Sequence, residues 1–196
     1  KRTRAVIPVH MTGIPCKMDQ LVDLCQQENI EIIEDCAHAL GTRFDNLHVG
    51  NFGVTGNFSF YPTKQITTGE GGMVITNDTK VYNFIKSHKA FGINTTPGER
   101  TKPGVYDVQG LGLNYRMTDF QAALGLGQIK RYPSNLSCRQ KNAILYAKNL
   151  KNNEKISFAP FSKNNSYFLF QIILDEKYNR ADLLSLLDKN GICFSI

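Results

Sequence analysis

Two apolar strand patterns separated by a helical pattern lie within the first 35 residues, and this order strongly limits the possible folds. The segment RAVIPVH (4–10) is apolar like a buried strand, and IEIIED (30–35) is a second apolar run that ends in two carboxylates. Between them, MDQLVDLCQQENI carries apolar residues at helical spacing, and we expect this helix to end near Asn29. Two strands connected by a helix in this way pair in parallel.

The rest of the sequence continues the alternation of strands and helices. Beyond Asp35 the pattern predicts strands at 57–61 and 71–77, a helix over 79–90, an irregular connection over 92–112, helices over 117–132 and 134–150, a strand over 166–174, a helix ending at Gly191, and a strand over 192–196. We therefore predict an α/β fold with a mostly parallel sheet flanked by helices. Residues 1–132 are predicted to be part of a large domain, and 133–196 a connecting helix and part of a smaller C-terminal α/β domain.

Composition narrows the class of protein. The formal net charge of +6 comes from 23 basic and 17 acidic residues, and the lysines are scattered, which is more typical of a solvated surface than of a nucleic-acid site. The five cysteines are odd in number and lack C-x-x-C spacing, which favours reduced thiols and a cytoplasmic location. No apolar run approaches the length of a membrane span. We expect no nucleic-acid or membrane partner.

Three side chains that can do chemistry follow the predicted strands. Asp35 and His38 follow IEIIE, and Lys64 follows NFSFY. Because ligands of open α/β sheets collect beyond the carboxyl ends of the strands, these side chains are expected to share one crevice. An amine and a carboxylate suit pyridoxal phosphate, whose aldehyde reacts with the amine and whose ring nitrogen needs the carboxylate. Ser59, five residues before Lys64, can donate a hydrogen bond to the phosphate.

Residue types alone leave other interpretations open. Most aspartates at strand ends cap helices, and most lysines that follow strands are solvated. His10, Cys36, His38 and His48 are residue types that bind zinc, but their spacing does not match the usual structural or catalytic zinc patterns. We therefore predict no metal, and we expect His10 and His48 to be packed or surface side chains.

Four segments carry a resemblance to a known family: PVHMTGIPCKMDQL, IIEDCAHALG, GNFSFYPTKQITTGEGGMVITND and LGLNYRMTDFQAALGLGQIKRY. Their order and spacing are similar to those of the DegT/DnrJ/EryC1/StrS family of sugar aminotransferases. These are fold-type I enzymes that use pyridoxal 5'-phosphate and act on nucleotide-linked keto sugars. The resemblance implies that the chain is an internal part of such an enzyme, with the N-terminal portion of the large domain lying outside it.

The resemblance also implies roles for individual residues. Lys64 of YPTK resembles the Schiff-base lysine, and Asp35 of EDCAH resembles the partner of the pyridine nitrogen. His38 would lie against the cofactor near its phenolic oxygen, and Ser59 resembles the phosphate-binding serine. Asn114 of LNYRM resembles an asparagine that reaches the phosphate of a neighbouring subunit. The glycines after Lys64 would let the backbone pass close to the cofactor.

The implied activity is the transfer of an amino group from an amino acid, by resemblance glutamate, to a nucleotide-linked keto sugar in a homodimer. Amino-sugar and surface-polysaccharide biosynthesis is the implied setting, and the connection over 92–112 is expected to help select the sugar. Two alternatives stay open. A family dehydratase normally carries histidine in place of Lys64, and a non-catalytic or regulatory protein, or an inactive fragment, would keep the fold without turnover.

Overall fold

The computed structural model describes residues 2–93, 95, 98, 100–102 and 104–195. Within this part of the chain the α-helices are α1 (Met18–Glu28), α2 (Thr79–His88), α3 (Asp119–Leu150) and α4 (Arg180–Lys189). The strands are β1 (Ala5–Val6), β2 (Glu31–Asp35), β3 (Arg43–Phe44), β4 (Leu47–His48), β5 (Thr55–Ser59), β6 (Gly72–Ile75), β7 (Ile156–Ser157) and β8 (Ile173–Leu174). A short 3₁₀ helix, Met11–Gly13, lies between β1 and α1. The order of elements confirms the predicted α/β fold.

The main sheet has four strands in the order β1-β2-β5-β6. Strands β1 and β5 both pair in parallel with β2, whereas β6 is antiparallel to β5. The register places Asp35 beside Asn57 and Ser59 beside Gly72. Because β1, β2 and β5 run in the same direction, their carboxyl ends lie at one edge of the sheet. The sheet is therefore mostly parallel, as predicted.

The first strand is shorter than the sequence predicts. Its ladder with β2 covers only Ala5–Val6, and an isolated bridge then joins Val9 to Asp35. Pro8 lies between the two pairings and has no N–H to contribute to a ladder. Its carbonyl instead accepts a hydrogen bond of 2.9 Å from the Asp35 N–H. The proline thus interrupts the ladder while the chain stays beside β2.

Buried apolar side chains form two clusters in the described residues. One cluster, between α1 and β2, contains Met18, Cys25 and Ile32. The other joins α3 to the strands and contains Cys36, Ala39, Val49, Phe58, Phe60, Ile66 and Tyr132. Cys36 directly follows Asp35, and Ile66 lies two residues after Lys64, so the candidate site is attached to a packed core.

Helix α3 is continuous, although the sequence predicts two helices separated near Pro133. A proline inside a helix costs about 3 kcal/mol because it removes one hydrogen bond and crowds the preceding turn. Contacts on both sides of it offset this cost. The Tyr132 hydroxyl donates to the Leu40 carbonyl, and Leu136 packs against the cluster that contains Tyr132. The predicted break was wrong because these contacts are not visible in the local pattern.

The start of α3 is as predicted, with Thr118 as the N-cap in a capping box with Gln121. Further along, the side chain of Gln128 hydrogen-bonds both the N–H and the carbonyl of Thr67, three residues after Lys64. The helix crosses the predicted domain boundary at 132/133, and that division stays a prediction. Within the described residues no helix, α3 included, is both long and apolar enough to cross a membrane.

The C-terminal strands are also shorter than predicted. Of the segment 166–174 only Ile173–Leu174 forms a strand, which pairs antiparallel with β7. The Ser166 N–H instead donates to the Gly13 carbonyl, so this part of the segment bonds the turn after β1 rather than a sheet. Residues 192–195 form no strand, and the Ile192 N–H closes the end of α4 by donating to Leu187.

The predicted irregular connection folds back on itself where it is described. An isolated bridge joins Ile93 to Val108, and the Gln109 N–H donates to the Gly92 carbonyl over 2.9 Å. Residues 94, 96, 97, 99 and 103 of this connection lie outside the described residues. Its predicted role in sugar selection stays a prediction.

Candidate active site

Asp35 and Lys64 lie at the same edge of the sheet because they follow neighbouring parallel strands. Asp35 is the last residue of β2, and the Cys36 N–H donates to the Asn57 carbonyl of β5 over 2.9 Å. Strand β5 ends at Ser59, and the turn that follows is closed by a hydrogen bond of 2.9 Å from the Lys64 N–H to the Tyr61 carbonyl. The expectation of a shared crevice rests on this parallel pairing.

Two aromatic contacts bring His38 and Lys64 together. The His38 ring stacks on the Phe168 ring with centroids 4.4 Å apart and an interplanar angle of 27°. The Lys64 Nζ lies 5.1 Å from the centroid of the same Phe168 ring. Partial burial lowers the pKa of His38, the positive charge of Lys64 lowers it further, and the Asp35 carboxylate acts in the opposite direction. Amine, imidazole and carboxylate are therefore close enough to influence one another.

One carboxylate oxygen of Asp35 and the amine of Lys64 are available for a ligand. Asp35 uses Oδ1 to accept the Ala37 N–H over 2.9 Å, which fixes the carboxylate and leaves Oδ2 without a partner among the described residues. In the same part of the chain, the half-buried Lys64 amine has the Phe168 ring as its neighbour and forms no ion pair or hydrogen bond. A half-buried amine and a carboxylate oxygen, both uncommitted, fit pyridoxal phosphate chemically.

Of the two remaining predicted site residues, Ser59 ends β5, whereas Asn114 lies in an exposed segment. The Ser59 Oγ accepts a hydrogen bond of 3.2 Å from the Tyr61 N–H, so its own proton can be donated elsewhere. Asn114 is exposed, pairs with Ala90 through an isolated bridge, and accepts a hydrogen bond of 3.2 Å from the Arg116 Nε. The described contacts do not connect Asn114 with the other predicted site residues, and its role stays a prediction.

Two of the glycines after Lys64 are required by close contacts within the chain. A Cβ on Gly71 would lie 2.3 Å from the Thr68 Oγ1, and one on Gly72 would lie 2.8 Å from the Phe58 carbonyl oxygen. Gly69 has a φ of 79° and open space at its Cβ position. The close approaches at Gly71 and Gly72 come from the chain, and the predicted clearance for a cofactor stays a prediction.

Sequence reasoning missed Phe168 and the part played by Glu34. Nothing in the local pattern distinguishes Phe168 from the other aromatic residues of SYFLF. Glu34 is fully buried, and its carboxylate accepts hydrogen bonds from the N–H groups of Gly50, Phe52 and Gly53, at 2.6 to 2.8 Å. The His10 Nε2 lies 3.1 Å from the same carboxylate. A carboxylate at the end of an apolar strand was the available signal for a buried hydrogen-bond centre.

The pair of Glu34 and His10 is held in one protonation pattern. The His10 Nδ1 accepts the Cys16 N–H over 3.1 Å, so the ring proton lies on Nε2 and is donated to Glu34. Burial raises the pKa of Glu34, but the hydrogen bonds from His10 and from the loop N–H groups outweigh burial and leave it below its usual range. This carboxylate ties β2, which carries Asp35, to the loop that leads into β5.

We expect Glu34→Gln to lower the free energy of unfolding by about 3 kcal/mol, because an amide has only one acceptor oxygen. Its NH₂ group would take the place of the second oxygen and face other N–H donors, such as those of Gly50 and His10 at Oε2. Urea unfolding of the full-length protein measures the change. Glu31→Gln is the matched control, since Glu31 lies in the same strand but is exposed. Equal stability of the Glu34→Gln and Glu31→Gln variants would contradict this interpretation.

The same carboxylate makes stability depend on pH. A depressed folded-state pKa contributes stability that is complete above the unfolded pKa, roughly 4.3 for glutamate, and is lost as the pH falls through the folded value. The free energy of unfolding of the wild type should therefore fall more steeply in this acid range than that of Glu34→Gln. Parallel pH profiles for the two proteins would exclude a contribution from Glu34.

The structure gives no support to the zinc hypothesis. Ligand atoms of His10, Glu34 and Cys36 do lie within 4.8 Å of one another, whereas His38 and His48 are outside this group. However, His10 and Glu34 already use their lone pairs for the hydrogen bonds described above. Burial raises the pKa of the Cys36 thiol to about 12, with a further contribution from Glu34, so it stays protonated. His10 is fully buried, as expected of a packed histidine, and His48 is half-buried and accepts the Gly41 N–H.

Comparisons with known proteins agree with this fold. The model of the DegT/DnrJ/EryC1/StrS aminotransferase family matches residues 1–196. GDP-perosamine synthase of Escherichia coli O157:H7 is 35% identical over 182 residues, which are 93% of this chain and 48% of that protein. The structure of Helicobacter pylori PseC, an aminotransferase involved in the biosynthesis of pseudoaminic acid, matches with a TM-score of 0.88 at 31% identity, over 97% of this chain and 51% of that one.

A dehydratase has the same fold. The structure of GDP-4-keto-6-deoxymannose-3-dehydratase (ColD) matches with a TM-score of 0.89 at 26% identity, over 97% of this chain and 53% of that one. The fold is thus shared by proteins with different reactions, and the residues of the site must distinguish them. The chain spans about half the length of these relatives.

Proposed function

The chain belongs to the DegT/DnrJ/EryC1/StrS aminotransferase family, and on this premise we propose that the protein transfers an amino group from an amino acid to a nucleotide-linked keto sugar. Glutamate is the proposed donor. The observation that carries the proposal is that the Lys64 amine and the His38 imidazole both contact the Phe168 ring. His38 follows Asp35, the last residue of β2, by three positions. The names of the perosamine synthase and of PseC support sugar amination as the reaction. Amino-sugar and surface-polysaccharide biosynthesis is the proposed setting.

The family depends on pyridoxal phosphate, and the uncommitted amine and carboxylate support its use here. When bound, the cofactor supplies an aldehyde that condenses with amines and a ring that withdraws electrons from the carbon being deprotonated. Lys64 would provide the amine that holds the cofactor, and its Nζ would accept and return the proton that is moved during amino transfer. Asp35 would provide the negative charge for the ring nitrogen, His38 would lie near the phenolic oxygen, and Ser59 would donate to the phosphate.

We propose a homodimer in which Asn114 of one copy reaches the phosphate held by the other. Large apolar side chains on both sides of Asn114 support an interface: Leu111 is 90% exposed and Phe120 is 91% exposed. Exposed apolar surface of this kind is typical of a protein contact. The cytoplasmic location inferred from the cysteines stays a prediction.

The attachment of the cofactor is tested directly with the full-length protein. Pyridoxal phosphate is added, borohydride is used to reduce the bond to the lysine, and the modified peptide is found by mass spectrometry. We expect the modification on Lys64 in the wild type and in Lys80→Ala, a control at an exposed lysine of α2. Modification of another lysine, or unchanged modification of Lys64→Ala, would refute the assignment.

Analysis of the reaction products distinguishes two alternatives from amino transfer. A dehydratase would release a deoxy sugar without new nitrogen, and Lys64 argues against it because histidine is expected at that position in such relatives. A non-catalytic or regulatory protein, or an inactive fragment, would give no product from any keto sugar. Incubation of the full-length protein with a panel of nucleotide-linked keto sugars and glutamate, followed by mass analysis, separates these outcomes.

A further inference from the structure

Phe168 lies in a segment that is unusually well fixed for a loop. In the segment 165–168, Asn165, Ser166 and Tyr167 are 4%, 0% and 8% exposed. The Thr42 hydroxyl donates to the Ser166 Oγ over 2.8 Å, and the Ser166 N–H donates to the Gly13 carbonyl over 3.0 Å. The Ser166 Oγ in turn donates to the His38 carbonyl over 3.4 Å, so the segment is tied to His38 directly.

A helix holds the other side of the same segment. The Arg139 guanidinium of α3 donates to the carbonyl oxygens of Tyr167 and Phe168, both over 3.2 Å. The Tyr167 hydroxyl accepts the Ser162 N–H over 2.8 Å. These contacts hold Tyr167 at a φ of 48°, in the left-handed region that non-glycine residues seldom adopt. Backbone strain persists only where the surroundings enforce it, and it is concentrated at functional sites.

The backbone of the segment 165–168 holds the Phe168 ring against His38 and Lys64. Phe168 stacks on His38 and contacts the Lys64 amine, as described above. A cation is attracted to the face of an aromatic ring, so the Phe168 ring limits where the protonated Lys64 amine comes to rest. The charged groups near His38 are Lys64 and Asp35. The ring also shields the imidazole from water.

We propose that Phe168 is a positioning residue for Lys64 and His38, presented by the strained segment 165–168 and locked there by Arg139. Its ring determines the place from which the Lys64 amine reaches its reaction partner. The consequence for turnover rests on the proposed function, whereas the contact between ring, amine and imidazole does not. The two are therefore measured separately.

The contact is tested by NMR of the full-length protein without cofactor, with ¹³C-labelled lysine and ¹⁵N-labelled histidine. In the wild type, the ring current of Phe168 should shift the Lys64 ε-methylene signal upfield. Phe168→Leu should abolish this shift and raise the pKa of His38, because the ring that shields the imidazole is lost. Phe168→Tyr should preserve both properties. Phe158→Leu is the matched control, because Phe158 packs against Phe170 instead.

Turnover is the second measurement. Phe168→Leu should lower kcat by roughly tenfold, since a reacting group that is less well placed loses rate, and Phe168→Tyr should restore it to within roughly twofold of the wild type. Unchanged Lys64 and His38 signals in Phe168→Leu would overturn the proposal. An unchanged kcat in Phe168→Leu would also overturn it, even if the signals move. Failure of the borohydride test would refute the proposed function and leave the NMR result to decide the contact.

Discussion

Lys64→Ala is expected to lower the rate of amino transfer by a factor on the order of 10³ to 10⁴. The variant loses the proposed cofactor-binding amine and proposed base, and no other lysine lies over the Phe168 ring that stacks on His38 within the described residues. Initial rates with glutamate and a keto-sugar acceptor measure the loss.

Lys64→Arg is the informative companion of this variant. It keeps the positive charge, but its guanidinium stays protonated and is not a nucleophile, so it should be as inactive as Lys64→Ala. A small amine added to the medium should partly restore the rate of Lys64→Ala, because it supplies the missing base. Lys80→Ala should keep wild-type activity. A rate for Lys64→Ala above roughly a tenth of the wild type would reject Lys64 as the catalytic amine.

Asp35→Asn should lower kcat by a factor on the order of 10² to 10³, the usual effect of removing one well-placed electrostatic partner. The asparagine oxygen can still accept the Ala37 N–H that the Asp35 Oδ1 accepts now, so the local turn is retained. The negative charge is lost, and with it the proposed partner of a protonated cofactor nitrogen.

The same variant has an internal readout of its charge. The Asp35 carboxylate opposes the two influences that lower the pKa of His38, so Asp35→Asn should lower this pKa further. Asp19→Asn is the control, since Asp19 is exposed in the first turn of α1. Full activity of Asp35→Asn would exclude a role for its charge, and a shift of the His38 pKa at the same time would show that the charge had been removed.

The parts of this molecule that depend on local pattern were predictable. Helix α1 ends where Asn29 adopts a left-handed conformation, and α3 begins at the Thr118 cap. The parallel pairing of β2 and β5 was predictable as well, and it brings the carboxyl ends of the strands that precede Cys36 and Lys64 to one sheet edge. Residue types at the strand ends suggested pyridoxal phosphate roles for Lys64 and Asp35, and the resemblance strengthened these roles and added those of His38 and Asn114.

What could not be predicted depends on contacts between residues far apart in the sequence. The continuation of α3 through Pro133 rests on the bond between Tyr132 and Leu40, 92 residues apart. Phe168 reaches the site because Ser166 bonds Thr42, which lies 124 residues earlier. Similarly, a buried Glu34 is stable only because the loop at 50–53 directs its N–H groups at it. No window of local sequence contains both partners of these contacts.

The continuity of α3 has a mechanical consequence. Gln128 hydrogen-bonds the turn that follows Lys64, and Arg139 hydrogen-bonds the segment that carries Phe168. Gln128 and Arg139 lie on the same helix, roughly 16 Å apart along its axis at the usual rise of 1.5 Å per residue. A single helix thereby fixes the distance between the segments that carry the Lys64 amine and the Phe168 ring. Pro133 lies between Gln128 and Arg139, and proline is the position at which a helix bends most easily. A bend of α3 at Pro133 would therefore move Lys64 and Phe168 apart.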